Sequence, residues 1–242
     1  MKQILITLFL SIFLNCSAQP IEFVVSASAG GPNDTVTRKI VEKLEKATDL
    51  QFVIINKPGA AHTIAYSHVL NSNKPTLIMS TPEVVSHEVY PKLDELYNAG
   101  YFSNTLFVSE RSGIRNLKQL AKLSKTRELN FGHGGVGTYS YAAMELVCKD
   151  TLKCLGVPYK SGSEGMLAVM TGQIDAYALA SYGSRQFLEN DKVLAIHEIK
   201  TSADKSWFKL FAKNISNKDR ETIISILKAQ DAKFYSDMGF SR

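Results

Sequence analysis

The residues with the clearest chemical potential lie in one glycine-rich stretch, FGHGGVGTYSYAAMELV, which runs from Phe131 to Val147. Four glycines fall within six residues, and a helical pattern with hydroxyl groups at Thr138 and Ser140 follows them directly. A glycine-rich turn before a helix presents backbone N–H groups to which an anion can bind. The stretch therefore indicates an anion-binding turn, with the imidazole of His133 as a further polar group.

Two phosphate-binding motifs share part of this glycine spacing, but each lacks a residue that the motif requires. Gly132, Gly134 and Gly137 match G-x-G-x-x-G, yet the next predicted strand ends without the acidic residue that binds a ribose hydroxyl. The same glycines fit part of a P-loop, but Thr138 occupies the lysine position. Glycines that serve only a tight turn are the alternative, because glycine adopts positive φ at low cost. No cofactor is expected.

Catalysis by a nucleophilic serine is a hypothesis from another functional class. Ser161 or Ser181 could act with His133 as a base, but the sequence has no G-x-S-x-G elbow, and the run of residues 162–165, GSEG, does not supply one. The five histidines show neither an H-E-x-x-H nor a C-x-x-C partner pattern, so no metal site is expected. The sequence favours a binding protein over an enzyme.

Short apolar strands alternate with amphipathic helices along the chain, which is typical of an α/β fold. Strands are predicted at residues 21–25, 51–55, 76–79, 105–108, 128–131, 155–158 and 176–180. Helices are predicted at residues 35–47, in a segment that ends near 71, and at 117–123, 139–149, 164–171 and 219–233. The succession implies parallel sheets with right-handed crossovers, in two α/β units.

Ligands of open α/β sheets bind beyond the carboxyl ends of the strands, where helix N-termini carry partial positive charge. The sequence places four turns there: Ser26 to Asp34, Gly59 to Thr63, Gly132 to Thr138, and the segment after Ala180. Two interpretations of Asp34 are open, because a carboxylate at this place either closes the loop on a ligand or caps the helix. His62, at a predicted helix start, could donate a hydrogen bond to an anion.

The N-terminus has the three parts of a secretory signal. Lys2 precedes the apolar run ILITLFLSIFL, and the small and polar residues of NCSAQP follow it. We place cleavage after Ala18, so that residues 1–18 form the signal peptide, and acylation of Cys16 as a lipoprotein is the alternative. No later segment has the uninterrupted apolar length of a transmembrane helix. The mature protein is therefore expected to be soluble and exported.

Export bears on the two cysteines that remain after the signal. Cys148 and Cys154 are six residues apart, and an even number of thiols in an oxidising compartment favours a disulfide. Two separate buried thiols are the alternative interpretation.

The charge balance is mildly basic. The chain has 28 Lys and Arg residues against 23 Asp and Glu, a net charge of +5, and removal of Lys2 with the signal leaves +4. The basic residues are scattered at the spacing of exposed helix faces, without a cluster interleaved with aromatics. A nucleic-acid partner is therefore not expected, and the small excess favours an anionic small molecule.

Six segments, taken in chain order, resemble one known family. IEFVVSASAGGPNDTVTRKIVEKL, NKPGAAHTIA, LNFGHGGVGTYSYAAMEL, VPYKSG, TGQIDAY and SWFKLFA are similar to segments of the substrate receptors of the tripartite tricarboxylate transporter, the Bug family. The matches extend over nearly all of residues 20–212. No single segment is highly specific, but six in the same order are.

The resemblance implies a two-lobe, type II-like periplasmic-binding-protein fold, in which mostly parallel sheets are flanked by helices and the ligand cleft lies between the lobes. Lobe 1 is expected to comprise residues 19–104 and 203–242, and lobe 2 residues 105–202. The implied function is the capture of a small carboxylate in the periplasm, by a monomer, for membrane permease subunits. A sensing role and a non-carboxylate ligand stay open.

Backbone amides and hydroxyls of the facing loops hold the carboxylate in that family, so the resemblance implies ligand-binding residues in both lobes. The candidates in lobe 1 are Ser26, Ala27, Ser28, Gly30, Gly31, Asp34, Ala61, His62, Thr63 and Thr81. The candidates in lobe 2 are His133, Gly135, Gly137, Thr138, Ser140, Tyr141, Ala180 and Ser181. The chain departs from the family pattern at Ala27, Ala61, His62, Tyr141 and Leu179, so no particular ligand is implied.

Overall fold

The fold is α/β with two units, as the sequence predicts, and each unit has a five-stranded sheet among the described residues. The computed structural model describes residues 19–80, 92–149, 152–200 and 207–241. The predicted signal peptide with Cys16, and the candidate Thr81, lie outside these described residues.

The first sheet combines strands from the two ends of the chain, in the order β2-β1-β3-β10-β4. Its strands are β1 Ile21–Val25, β2 Phe52–Asn56, β3 Thr76–Ser80, β4 Asp94–Tyr101 and β10 Trp207–Lys213. The helices of this part are α1 Pro32–Ala47, α2 Thr63–Asn71, α7 Asn217–Lys228 and α8 Ala232–Asp237. β1 pairs in parallel with β2 and β3, whereas β10 runs antiparallel to β3 and β4. We call this sheet with its helices lobe 1.

The second sheet repeats the arrangement with consecutive strands, in the order β7-β6-β8-β5-β9. Its strands are β5 Asn104–Ser109, β6 Leu129–His133, β7 Cys154–Pro158, β8 Ala176–Ala180 and β9 Val193–Ile199. The helices are α3 Leu117–Ser124, α4 Tyr139–Cys148, α5 Gly162–Thr171 and α6 Ser181–Leu188. β6 is parallel to β7 and β8, while β5 is antiparallel to β8 and β9. We call this sheet with its helices lobe 2.

Each sheet is mixed, with a parallel half and an antiparallel half. The sequence analysis predicts the parallel strands because they are short, apolar and followed by amphipathic helices. It does not predict β4, β9, β10 or α6. β4 and β9 are the antiparallel edge strands, and β10 lies between β3 and β4. The boundaries predicted for the lobes at residues 104 and 202 stay a prediction.

Local sequence explains where the elements begin. All five residues of β1, IEFVV, are buried, because helices cover both faces of the parallel half. Helix α1 begins at Pro32, earlier than predicted, since proline is favourable in the first turn, where its missing N–H is not needed. Gly31 is the N-cap, so the interpretation of Asp34 as the capping residue is wrong. The predicted C-terminal helix is divided into α7 and α8.

A disulfide joins Cys148, the last residue of α4, to Cys154, the first residue of β7, with their Cα atoms 6.0 Å apart. It fixes the end of the helix that begins in the glycine-rich turn to an edge strand of the second sheet. Within the described parts of the chain, no helix has the length and apolar character needed to cross a membrane.

Candidate functional site

A cavity of about 20 Å³ lies between the two lobes, at the carboxyl ends of the parallel strands. Its lining comprises Ser26, Ala27, Pro32, Asn33, Ala61, His62, Gly134, Thr138, Tyr139, Ser140, Lys160, Ser161, Gly162 and Tyr177. The volume suffices for about one water molecule. A larger ligand can therefore enter only if the lobes move apart.

The glycine-rich turn contributes buried hydroxyls at the start of α4. Thr138 caps the helix by accepting a hydrogen bond from the Tyr141 N–H at 3.3 Å, and it donates to the Gly135 carbonyl at 2.7 Å. Ser140 accepts from the Gly134 N–H at 2.9 Å and lies 3.1 Å from the Thr138 hydroxyl. These bonds hold the turn rigid, so its remaining N–H groups are positioned before a ligand arrives.

The opposite wall comes from the loop between β1 and α1. The Asn33 amide donates to the Ser26 hydroxyl at 3.3 Å, and its oxygen accepts from the Tyr182 hydroxyl of lobe 2 at 2.9 Å. The ring of Tyr182 also lies edge-on to the ring of Tyr139, with the centroids 6.2 Å apart, and Tyr139 lines the cavity. A buried polar network therefore connects the two lobes beside the cavity.

His62 lies on the lobe 1 side, at the start of α2. Its Nδ1 is 3.0 Å from the carbonyl oxygen of Ser26, which joins the two cleft loops of this lobe. Burial lowers the pKa of His62 to about 4, against a smaller opposing effect of this hydrogen bond. The ring is therefore neutral at pH 7.

The backbone that carries His62 is strained. Ala60, Ala61 and His62 have φ values of 48°, 47° and 72°, three consecutive non-glycine residues in the left-handed region. Such residues cost about 1–2 kcal/mol each relative to glycine, and they occur mainly where the surroundings impose the conformation. Across the cleft, a Cβ atom on Gly135 would lie 3.3 Å from Cβ of Ala61, so the two loops are in contact.

Helix α5 adds a fourth helix start and one cation. Ser161 is buried and caps the helix by accepting from the Glu164 N–H at 3.3 Å. The neighbouring Lys160 lines the mouth of the cavity, and its ammonium has no ion-pair partner among the described residues. No Asp or Glu is present in the lining. The electrostatic environment therefore favours an anion.

Two tyrosines complete the wall on the lobe 2 side. Burial raises the pKa of Tyr177 and also that of Tyr139. Both phenols are therefore neutral hydrogen-bonding groups at physiological pH.

The structure brings six of the predicted ligand-binding residues into the lining: Ser26, Ala27, Ala61, His62, Thr138 and Ser140. Eleven others lie outside it, namely Ser28, Gly30, Gly31, Asp34, Thr63, His133, Gly135, Gly137, Tyr141, Ala180 and Ser181. A direct role in binding stays a prediction for all of them.

Asp34 and His133 lie outside the lining and make hydrogen bonds with the residues around them. Asp34 is buried, yet hydrogen bonds from Arg38, the Gly30 N–H and Asn56 outweigh the effect of burial and lower its pKa. His133 is buried beneath the turn, where its Nδ1 accepts from the Gly135 N–H at 2.9 Å and burial lowers its pKa.

Ser181 is directed away from the cavity, since its hydroxyl donates to the Gly239 carbonyl at 2.7 Å. Among the described residues, no serine hydroxyl is hydrogen-bonded to a histidine, so the serine–histidine arrangement of a hydrolase is not formed. The same part of the chain contains no group of three His, Cys, Asp or Glu side chains that could hold a metal ion.

Eight lining residues are absent from the predicted ligand-binding residues: Pro32, Asn33, Gly134, Tyr139, Lys160, Ser161, Gly162 and Tyr177. The first three lie within turns that the sequence predicts to face the ligand, and the other five do not. The turn at 160–162 follows a predicted strand, so the same rule about carboxyl ends would have found it. Tyr177 lies inside β8, and nothing in the sequence distinguishes it from a core residue.

The family of the chain follows from a direct match. The model of the tripartite tricarboxylate transporter family receptor, TctC, matches residues 36–219. The chain belongs to this family. The family is one of receptors and not of enzymes, as the sequence analysis expected, and this receptor has the two-lobe fold inferred from the resemblance.

Individual relatives agree with the family match. A UPF0065 protein of Bordetella pertussis (strain Tohama I) is 26% identical over 212 residues, which cover 77% of this chain and 66% of that protein. The receptor spans between about half and two thirds of the length of the curated relatives it matches.

Solved structures agree with the fold. The periplasmic binding protein BugD has a TM-score of 0.78 at 20% identity, covering 91% of this chain and 86% of BugD. MatC from Rhodopseudomonas palustris with bound malate has a TM-score of 0.77 at 20% identity, covering 92% and 90%.

Proposed function

We propose that this receptor binds a small carboxylate between its lobes in the periplasm and delivers it to the membrane permease subunits of a tripartite transporter. The observation that carries the proposal is the convergence of four helix starts, those of α1, α2, α4 and α5, on one cavity without an acidic side chain in its lining. Helix N-termini stabilise negative charge without the cost of a fully buried lysine.

The comparisons support the same class of ligand and the same compartment. MatC, which shares the fold, is described with bound malate, and BugD is described as periplasmic. The predicted signal peptide fits that compartment. Because the cavity holds only about one water molecule, binding requires the lobes to open and close about the strands that connect them.

Isothermal titration calorimetry with residues 19–242 would test the proposal, with succinate, malate and adipate as probes. Saturable binding in the micromolar range is expected. No heat of binding with any of the three acids would contradict the proposal of a carboxylate ligand.

Replacement of the cation at the cavity mouth gives a first prediction. We expect Lys160→Gln to weaken carboxylate binding by about 2–5-fold and to reduce its dependence on salt, because an exposed ion pair contributes about 0.2–1 kcal/mol. Calorimetry at low and high salt would measure both effects.

Lys153→Gln is the matched control, since Lys153 is exposed just before β7 and does not line the cavity. Equal effects of the two substitutions would show that general surface charge, and not the position of Lys160, accounts for the change.

Recovery of permease subunits from membrane extracts with the loaded receptor would test the transport partnership.

A further inference from the structure

His62 lines the cavity although its backbone has a left-handed conformation that is unfavourable for any residue other than glycine. The three left-handed residues 60–62 end in a histidine, although a glycine there would adopt φ 72° without steric cost. Strain of this kind persists where a side chain has a function that outweighs it. His62 lines the cavity, so the function is expected to concern the ligand.

The hydrogen bond to Ser26 determines the tautomer of the ring. A carbonyl oxygen can only accept, so the Nδ1 atom, 3.0 Å away, must carry the proton. In the neutral ring Nε2 is then an acceptor. Among the described residues, Nε2 has no hydrogen-bond partner. The Nε2 atom of His62 therefore has a lone pair that is available to accept a hydrogen bond from a ligand in the cleft.

The fixed lone pair restricts what can lie beside it. A carboxylate oxygen is repelled by a lone pair, so the ligand's anionic group must face the helix starts and Lys160 instead. The group facing Nε2 must be a donor. An ammonium group is disfavoured because the lining contains Lys160 and no acidic side chain. A neutral hydroxyl satisfies every condition.

We propose that His62 is a specificity-determining residue that accepts a hydrogen bond from a hydroxyl group of the ligand, so that the receptor selects a hydroxy-carboxylate over the same acid without the hydroxyl. The inference rests on the proposed function, because it assumes that a carboxylate occupies the cleft.

Calorimetry with two matched ligand series would test it: malate, succinate and aspartate, and lactate, propionate and alanine. The hydroxy acid of at least one series is expected to bind about 10–100-fold more tightly than its deoxy analogue, since leaving a buried acceptor unpaired carries a penalty of that size. His62→Gly should remove this preference and leave the deoxy analogue within about twofold of its original affinity.

Thermal stability distinguishes this role from a structural one. His62→Gly removes the strain and also the hydrogen bond to Ser26, two effects of similar size and opposite sign, so the melting temperature should change little while affinity for the hydroxy acid falls. Ala60→Gly is the matched control, because Ala60 has a left-handed φ of 48° and lies outside the lining, so the substitution relieves strain nearby and should leave both affinities unchanged. If His62→Gly fails to fold, His62→Ala, whose side chain has no hydrogen-bond acceptor, should reproduce the loss of preference.

Two outcomes would overturn the inference without touching the proposed function. One is equal binding of hydroxy and deoxy acids by the unmodified receptor, or equal weakening of both by His62→Gly. The other is a preference for aspartate or alanine, which would assign the donor to an ammonium group. Failure of all six acids to bind would remove the inference and the proposed carboxylate ligand together.

Discussion

His62 has an unfavourable backbone conformation and a half-buried, neutral ring, and the ring makes stability depend on pH. Its pKa is about 4 in the folded protein, below the value of about 6.5 in an unfolded chain. Between these values the unfolded state binds more protons, so this contribution to stability is complete above pH 6.5 and is lost as pH falls towards 4.

The expected loss can be measured by urea denaturation at pH 7 and pH 4.5. We expect the unmodified protein to lose on the order of 1 kcal/mol more than His62→Asn, after allowance for the partial exposure of the ring. Lys160, Tyr139 and Tyr177 are the other titratable groups in the lining, and they occur in both proteins. Parallel pH profiles would show that the histidine is not held in its neutral form.

Sequence reasoning at this scale identified loops more reliably than side chains. It predicted the turns that contain Ser26, His62 and Thr138, because strand ends and glycines mark them. It could not predict that Asp34 hydrogen-bonds Arg38 and Asn56, or that His133 lies beneath the turn. Those orientations depend on contacts between distant segments, which single-sequence patterns do not encode.

Helix α4 connects the candidate site to the disulfide, since its capped start borders the cavity and its last residue is Cys148. A loop closed by cysteines six residues apart is short, so chain-entropy arguments give a stabilisation of about 2 kcal/mol. We expect the double substitution Cys148→Ser and Cys154→Ser to lower the free energy of unfolding by that amount, measured by chemical denaturation without reductant.

Reduction of the disulfide gives an independent test of its contribution to stability. Reductant should destabilise the unmodified protein to the level of the double variant and leave the variant unaffected. Similar stability of the two proteins in oxidising buffer would contradict the prediction.

Among the elements, the predicted strands and helices of the parallel halves agree with the structure to within a few residues. β1 and β8 have the predicted bounds, and α4 differs by one residue. β4, with the sequence DELYNAGY, and β9 were missed because they are polar and partly exposed at sheet edges. Their strand conformation depends on pairing with a neighbour and not on local apolar periodicity.

The two lobes are in close contact where α6 packs on α1. Tyr182 belongs to the hydrophobic core of lobe 1, with stacked contacts to Phe208 and Phe240. Beside it, Gly183 fits against Pro32 so closely that an added Cβ would lie 2.1 Å from Cβ of the proline. Only glycine allows this approach between the lobes.

Gly183→Ala should therefore separate α6 from α1 and destabilise the protein by about 1–3 kcal/mol, as overpacking does in other cores. Differential scanning calorimetry would measure the effect. Gly134→Ala is the control, because the nearest atoms to a Cβ there are at the ordinary distance of 3.4 Å. Unchanged stability of the Gly183 variant would mean that α6 shifts freely and does not hold the lobes.

The position of β10 has a consequence for the order in which the chain can fold. This strand lies between β3 and β4 in the first sheet, although all of the second sheet separates it from them in the sequence. A chain that emerges amino end first can complete the sheet of β5 to β9 as soon as those consecutive strands are available. The earlier half must wait for residues 207–213, so the part of the protein that is made first is the part that is finished last.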